Sequence, residues 1–281
     1  MHWVALAVSA PVALLVVPAG IRALGEAGMT RPSYRGLALA FPAGAILIGA
    51  ALVTLAPLAL LDDRANLDLL DPELRRWMSF VLGVALLGLL DDTIGRGEAT
   101  DAPRGWRGHA RAVTQGRLST GALKAVGALA LAAYAASGRG LEGVRYVVDL
   151  ALLLLATNLF NLLDLRPGRA EKALVLLLAG LCIGAWTAVP IELLGLFLGP
   201  VIVGAFFTLR ERAMLGDTGS NLIGALAGIS ILVVLPPDGR AVALGIVLAL
   251  TAYGEFRSLS TAIERIPPLK QLDSLGRVSS T

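Results

Sequence analysis

Apolar residues dominate nine stretches of the chain, at 3–19, 37–60, 77–90, 121–137, 147–163, 172–189, 191–209, 219–236 and 241–256, with polar residues in the gaps. Such runs predict membrane-spanning helices, because about twenty apolar residues are needed to cross a hydrocarbon core of about 30 Å. Several runs are shorter, so their neighbours are expected to complete them. Between the sixth and seventh only Pro190 and Glu192 break the pattern, and two helices joined by a tight turn fit the combined length better than one. The first run has the length of a signal peptide but no basic start and no soluble stretch after it, so it reads as a span. The predicted fold is all-α, a polytopic membrane helix bundle of nine transmembrane helices over residues 1–256, followed by a cytoplasmic C-terminal tail over 257–281.

Composition sharpens this picture. Hydrophobic residues make up 56% and charged residues 16% of 281, with a mean hydropathy of +0.74. The net charge of +3 is spread over short loops, with no polar domain able to bind nucleic acid. Cys182, alone and in an apolar run, rules out a disulfide framework, and His2 and His109 are too few to build a histidine metal site within one chain. Orientation follows from Lys and Arg, which are enriched in cytoplasmic loops. With the N-terminus outside, 18 of the 24 basic residues fall inside, including Arg96, Arg104, Arg107, Arg111, Arg117 and Lys124. Trp3, Trp77 and Trp186 then lie near outer boundaries, where interfacial aromatics collect. Gly195 with Gly199, and Gly224 with Gly228, form G-x-x-x-G pairs suited to close helix packing.

This topology brings three polar clusters to one side. The third run ends in LLGLLDD, with Asp91 and Asp92 last; the fifth ends in ATNLFNLLD; and the eighth begins after MLGDTGSN. Asn158, Asn161 and Asp164 are spaced i, i+3, i+6, along one helix face. Two carboxylates at a helix C-terminus oppose its dipole unless a cation is present. Each cluster also has a plainer explanation: a solvated helix end for the aspartates, interhelical hydrogen bonding for the asparagines, and a helix cap for Gly216–Ser220. By contrast, the outer acids Asp62, Asp63, Asp68, Asp71 and Glu73 read as a solvated loop. Hard oxygen ligands without histidine suit Mg²⁺, with Mn²⁺ as the alternative, and phosphate oxygens usually complete the shell. A helix beginning near Thr218 offers its N-terminus to an anion. The chemistry indicated is a metal-assisted phosphoryl reaction at the membrane surface.

These motifs resemble those of the polyprenyl-phosphate N-acetylhexosamine-1-phosphate transferases. LLGLLDD is similar to the family's first aspartate motif, NLFNLLD to the start of N-x-x-N-x-x-D-G-x-D-G, and MLGDTGSNLIG to F-M-G-D-x-G-S, over about residue 20 to the C-terminus. The resemblance implies transfer of a sugar 1-phosphate from a UDP-sugar to a polyprenyl phosphate, with release of UMP, at the cytoplasmic face of a prokaryotic plasma membrane. It implies Asp217 as the leading Mg²⁺ ligand. Asp91 and Asp92 would assist the metal or orient and deprotonate the lipid phosphate. Asp164 and Asn161 would hold the sugar diphosphate, with Asn158 in support. Lys124 reads either as a phosphate contact or as a lysine snorkelling at a helix end. Homodimers are common in the family, and the glycine pairs permit one.

The chain also departs from the family. The D-G-x-D-G segment becomes Asp164-Leu165-Arg166-Pro167-Gly168, the aromatic position of the third motif is Met214, the tail lacks histidine, and the upstream basic segment is reduced to MTRPSYRG. The phosphate-and-metal half of the site is thus kept and the sugar-nucleotide half altered: a different donor, base recognition moved to Arg166 and Arg169, or lost catalysis would each explain this. The rival class is a non-enzymatic scaffold or lipid-phosphate-binding homologue that keeps the fold. A transporter is disfavoured because mid-span positions are almost wholly apolar. A CDP-alcohol phosphotransferase is disfavoured because its aspartates occupy one short stretch.

Overall fold

The computed structural model describes residues 3–94, 120–137, 139, 140 and 142–277. The helices are α1 (Val4–Glu26), α2 (Ala43–Ala65), α3 (Pro72–Ile94), α4 (Thr120–Ser137), α5 (Gly143–Leu163), α6 (Arg169–Gly184), α7 (Val189–Leu209), α8 (Gly216–Val234), α9 (Pro237–Phe256), α10 (Leu259–Arg265) and α11 (Pro267–Ser274). Between α1 and α2 lies a hairpin of β1 (Thr30–Pro32) and β2 (Ala38–Ala40), antiparallel, with Thr30 opposite Ala40. The protein is a multi-spanning membrane helix bundle. Seven of the described helices have the length and composition to cross a bilayer, α4 is a shorter apolar helix, and α6 has only 16 residues, with Arg169, Glu171 and Lys172 at its start.

Each apolar run falls largely within a separate helix. The uncertain break is real, though displaced: α6 ends at Gly184, residues 185–188 turn, and Pro190 sits in the first turn of α7, where its missing N–H costs nothing. MTRPSYRG, read as a remnant segment, forms most of the hairpin.

At the centre stands α8, where every residue from 218 to 232 is buried. A helix apolar all round belongs inside a bundle, and α2, α3, α5, α6 and α7 surround this one. Glycine permits that enclosure. A Cβ on Gly44 of α2 would stand 2.2 Å from the Gly219 nitrogen, and one on Gly88 of α3 would stand 2.5 Å from the Asp217 carbonyl oxygen. The G-x-x-x-G pairs serve the same end. Gly224 and Gly228 seat α8 on Ala156, Thr157 and Leu153 of α5, while Gly195 and Gly199 seat α7 on Leu6, Ser9 and Ala10 of α1. Both pairs are therefore consumed within one chain. In α1 the Ser9 hydroxyl donates to the Gly195 carbonyl at 2.6 Å.

The other end of the bundle departs from the sequence reading. Trp77 is not an interfacial aromatic: it is buried to 1% exposure, whereas Trp3 and Trp186 are exposed. A buried ionic cluster also lies at this end. Asp149, within the fifth run, is 1% exposed and pairs with Arg139 at 3.1 Å and Arg240 at 3.2 Å, tying α5 to α9 and to the turn after α4. Arg139 also reaches Glu73 of α3 at 3.7 Å and donates to the Leu232 carbonyl at 3.1 Å. Of the neighbouring acids, Asp62 and Asp71 are partly exposed and also cap backbone. Asp62 accepts from the backbone of Leu69 and Leu70, and Asp71 from that of Leu74 at the start of α3.

Candidate functional site

Four helix ends meet at the end of the bundle opposite Asp149: the C-termini of α3 and α5 and the N-termini of α4 and α8. The organising group is Asp92, 4% exposed at the end of α3. Its carboxylate accepts from the Asp217 N–H at 3.0 Å, the Thr218 N–H at 2.9 Å and the Thr218 hydroxyl at 2.7 Å. The α8 N-terminus does hold an anion, but that anion is the side chain of Asp92, which satisfies two of the backbone donors that a helix start leaves orphaned. Gly216 makes the approach possible, since its φ is +72° and a Cβ there would lie 2.5 Å from Asp92 Oδ2.

Asp91 and Asp217 remain partly open. The Lys124 ammonium of α4 lies 2.5 Å from Asp217 Oδ2 and 3.7 Å from Asp91 Oδ2. Asp91 and Asp217 thus share one ammonium, and Asn161 Oδ1 accepts from the Ser220 hydroxyl, near the start of α8 like Asp217, at 2.8 Å. Among the described residues no three His, Cys, Asp or Glu side chains form a metal-binding group. Mg²⁺, however, is commonly held by one or two carboxylates, with water and substrate phosphates completing the shell. Asp91 and Asp217 fit that requirement, and the Lys124 ammonium between them shows that the pair accommodates a cation.

Asp164 caps the C-terminus of α5, its N–H donating to Asn161 and Phe160 carbonyls. It lines a narrow cleft of about 30 Å³ with Tyr34, Arg166 and Met214. Burial pushes its carboxyl well above the ordinary range, the negative charges of Glu171, Asp217 and Asp92 add to this, and Arg169 offsets only part. Asn158 is exposed and its side chain makes no hydrogen bond among the described residues, so the shared helix face does not carry it into the cluster.

The arginines proposed for base recognition separate. Arg169 is 5% exposed, and all three of its nitrogens are engaged: Nε and Nη2 donate to both oxygens of Asp273 at 2.9 and 3.0 Å, and Nη1 to Ser260 at 2.8 Å. It docks the tail, and its burial sets it back from the open surface. Arg166 pairs with Glu264 and lies over the Tyr34 ring at 5.3 Å from its centroid. Within the tail, α10 and α11 pack back on the bundle.

Met214 leaves its position without an aromatic, yet Tyr34 from the hairpin lines the same cleft and donates to Glu211 at 3.2 Å. The sequence gives no role to Tyr34 or Glu211, and offers Thr218 and Ser220 only as parts of a helix start. The hairpin signal lay in MTRPSYRG, and the hydroxyls lay inside MLGDTGSN. Arg96, Arg104, Arg107, Arg111 and Arg117 fall outside the described residues.

The fold and cluster define a multi-pass membrane protein with a polar site at one end of its bundle. Comparison with models of protein families gives no match, and comparison with curated proteins gives none either.

Proposed function

We propose that the protein transfers a sugar 1-phosphate from a nucleotide diphosphate sugar, a UDP-sugar first among them, to a polyprenyl phosphate with release of the nucleoside monophosphate. The observation that carries this is the convergence of Asp91, Lys124, Asn161 and Asp217 from four helices at one end of the bundle. In this reading nine helices span the membrane, the N-terminus is outside and the cluster faces the cytoplasm.

Asp217 and Asp91 would hold Mg²⁺ or Mn²⁺, which when bound supplies positive charge against the phosphoryl oxygens. Lys124, released from its two carboxylates, holds a phosphate oxygen, and Asn161 orients the diphosphate beside Asp217. Asp92 does no proton transfer; it fixes the start of α8 and hence the position of Asp217. A phosphate monoester has its second pKa near 6, so the lipid phosphate arrives largely ionised and needs little help from a base. Its oxygen attacks the sugar-bearing phosphorus, the phosphoanhydride bond breaks and the bonding pair leaves on the nucleoside monophosphate.

One observation favours a second reading. The ion pair of Lys124 with Asp217 neutralises the acid internally, as a non-catalytic homologue retaining the fold would require. The deciding experiment incubates purified protein with polyprenyl phosphate, Mg²⁺ and UDP-, CDP-, GDP- and dTDP-sugars, beside Asp217→Asn. Lipid-dependent nucleotide release that disappears in the variant supports the transferase. Silence across the panel from folded protein that binds Mg²⁺ supports the scaffold.

A further inference from the structure

The docked tail creates a second polar cavity. Between α10, α11 and the turn after α5 lies a cleft of about 510 Å³, within the size range of small-molecule sites. Its lining includes Arg166, Arg265, Lys270 and Arg277, with the hydroxyl-bearing Thr261 and Ser274. The two acids in the wall are both committed, Glu264 to Arg166 and Asp273 to Arg169 and Arg277. Arg277 is itself anchored, donating Nε to the Pro167 carbonyl at 2.9 Å and its other nitrogens to Asp273 at 2.7 and 3.1 Å. Arg265 and Lys270 have no acidic partner among the described residues. Four cations thus face two carboxylates, one of which is shared with Arg169 behind the wall, leaving an excess of positive charge that nothing in the fold requires.

We infer that this cleft is a binding site for a soluble phosphate-bearing anion of nucleotide size. Guanidinium groups match phosphate oxygens through paired donors, and lysine adds a point charge. The volume exceeds what a lone phosphate needs, leaving room for a nucleoside. A lipid headgroup fits less well, because every side chain lining the cleft is polar. Arg166 lines both this cleft and the narrower one containing Asp164, Tyr34 and Met214, so an anion held by the tail abuts the candidate site. In naming the anion a nucleotide the inference rests on the transferase reading; in calling it phosphate-bearing it does not.

The test uses the full chain in neutral phosphatidylcholine nanodiscs. UMP and UDP are titrated by calorimetry, with uridine as the phosphate-free control, for wild type and for the double variant Arg265→Gln, Lys270→Gln. Both positions are exposed and unpaired, so the variant folds. Nucleotide binding at least tenfold tighter than uridine, weakened about tenfold per charge removed, is expected. Unchanged affinity in the variant overturns the site. So does an absence of nucleotide binding combined with variant-sensitive retention of phosphatidic acid, which assigns the cleft to a lipid headgroup. The release assay runs alongside. Release with normal nucleotide affinity in the variant leaves the transferase standing without the cleft, whereas variant-sensitive binding without release leaves the cleft standing without the transferase.

Discussion

Replacing Asp92 by Asn separates framework from chemistry, because Asp92 and Asp217 are held so differently. Asp92 accepts three hydrogen bonds, two at Oδ2 and one at Oδ1. An asparagine keeps one acceptor oxygen. Its better rotamer leaves that oxygen at the Oδ2 position facing Thr218 and turns the amide NH₂ against the Asp217 N–H. At least one hydrogen bond to a charged acceptor is lost, worth about 1.5–3 kcal/mol. The carboxylate's attraction to the helix dipole goes as well, adding about 0.3–1 kcal/mol. Asp92→Asn should therefore cost about 2–4 kcal/mol, read as a fall of several degrees in Tm by detergent-solubilised thermal unfolding. Asp217→Asn loses one partly exposed pair with Lys124 and should change Tm much less while abolishing nucleotide release. An Asp92→Asn protein with wild-type Tm and no release would refute this reasoning and make Asp92 a reacting group.

Three further outcomes are expected. Asp149→Asn leaves Arg139 and Arg240 facing each other without a buried counter-charge and should destabilise by about 3–5 kcal/mol, measured by the same unfolding assay. Burial would raise the Asp273 carboxyl, but Arg169 and Arg277 outweigh it and hold the group below its ordinary 3.8. Its contribution to tail docking is thus complete above that value and lost as pH falls through the depressed one, so tail proteolysis should accelerate only in acid, and Asp273→Asn should be readily cleaved even at neutral pH. In a Cys182→Ser background, Ser274→Cys should react with a membrane-impermeant maleimide only from the cytoplasmic side and Asn66→Cys only from outside. The reverse pattern overturns the proposed orientation.

Hydropathy located the helices because partition into lipid is a property of each segment taken alone. Even the weak boundary at Pro190 was legible, since proline in the first helical turn marks a start. The acids and amides of LLGLLDD, NLFNLLD and MLGDTGSN were likewise visible as members of one end. What each side chain does there depends on its partner, and the partners are remote: Asp92 meets Asp217 across 125 residues and Arg169 meets Asp273 across 104. Asp92 and Asp91 are adjacent in sequence, yet one turns into protein and the other toward Lys124. Trp77 was misplaced for the same reason, because burial among neighbouring helices overrides its preference for an interface. Glycines carried information that pattern alone did not expose, since Gly88 and Gly44 matter through backbone atoms of α8 rather than through their own helices.

The seating of α1 against α7 sets a timetable for synthesis. Ser9 and the Gly195 carbonyl that receives its hydrogen bond are 186 residues apart. At about 5–20 residues per second, roughly 10–40 s pass between their emergence from a ribosome. Throughout that interval the small-residue face of α1 is bathed in lipid, and the Ser9 hydroxyl has only its own helix, at the Leu6 carbonyl 3.3 Å away, to bond. Although α1 precedes the other described helices along the chain, it cannot reach its final seat until α7 arrives. A nascent chain stalled before residue 195 would carry an unclaimed groove down one side of α1, open to whatever neighbouring helix the membrane offers.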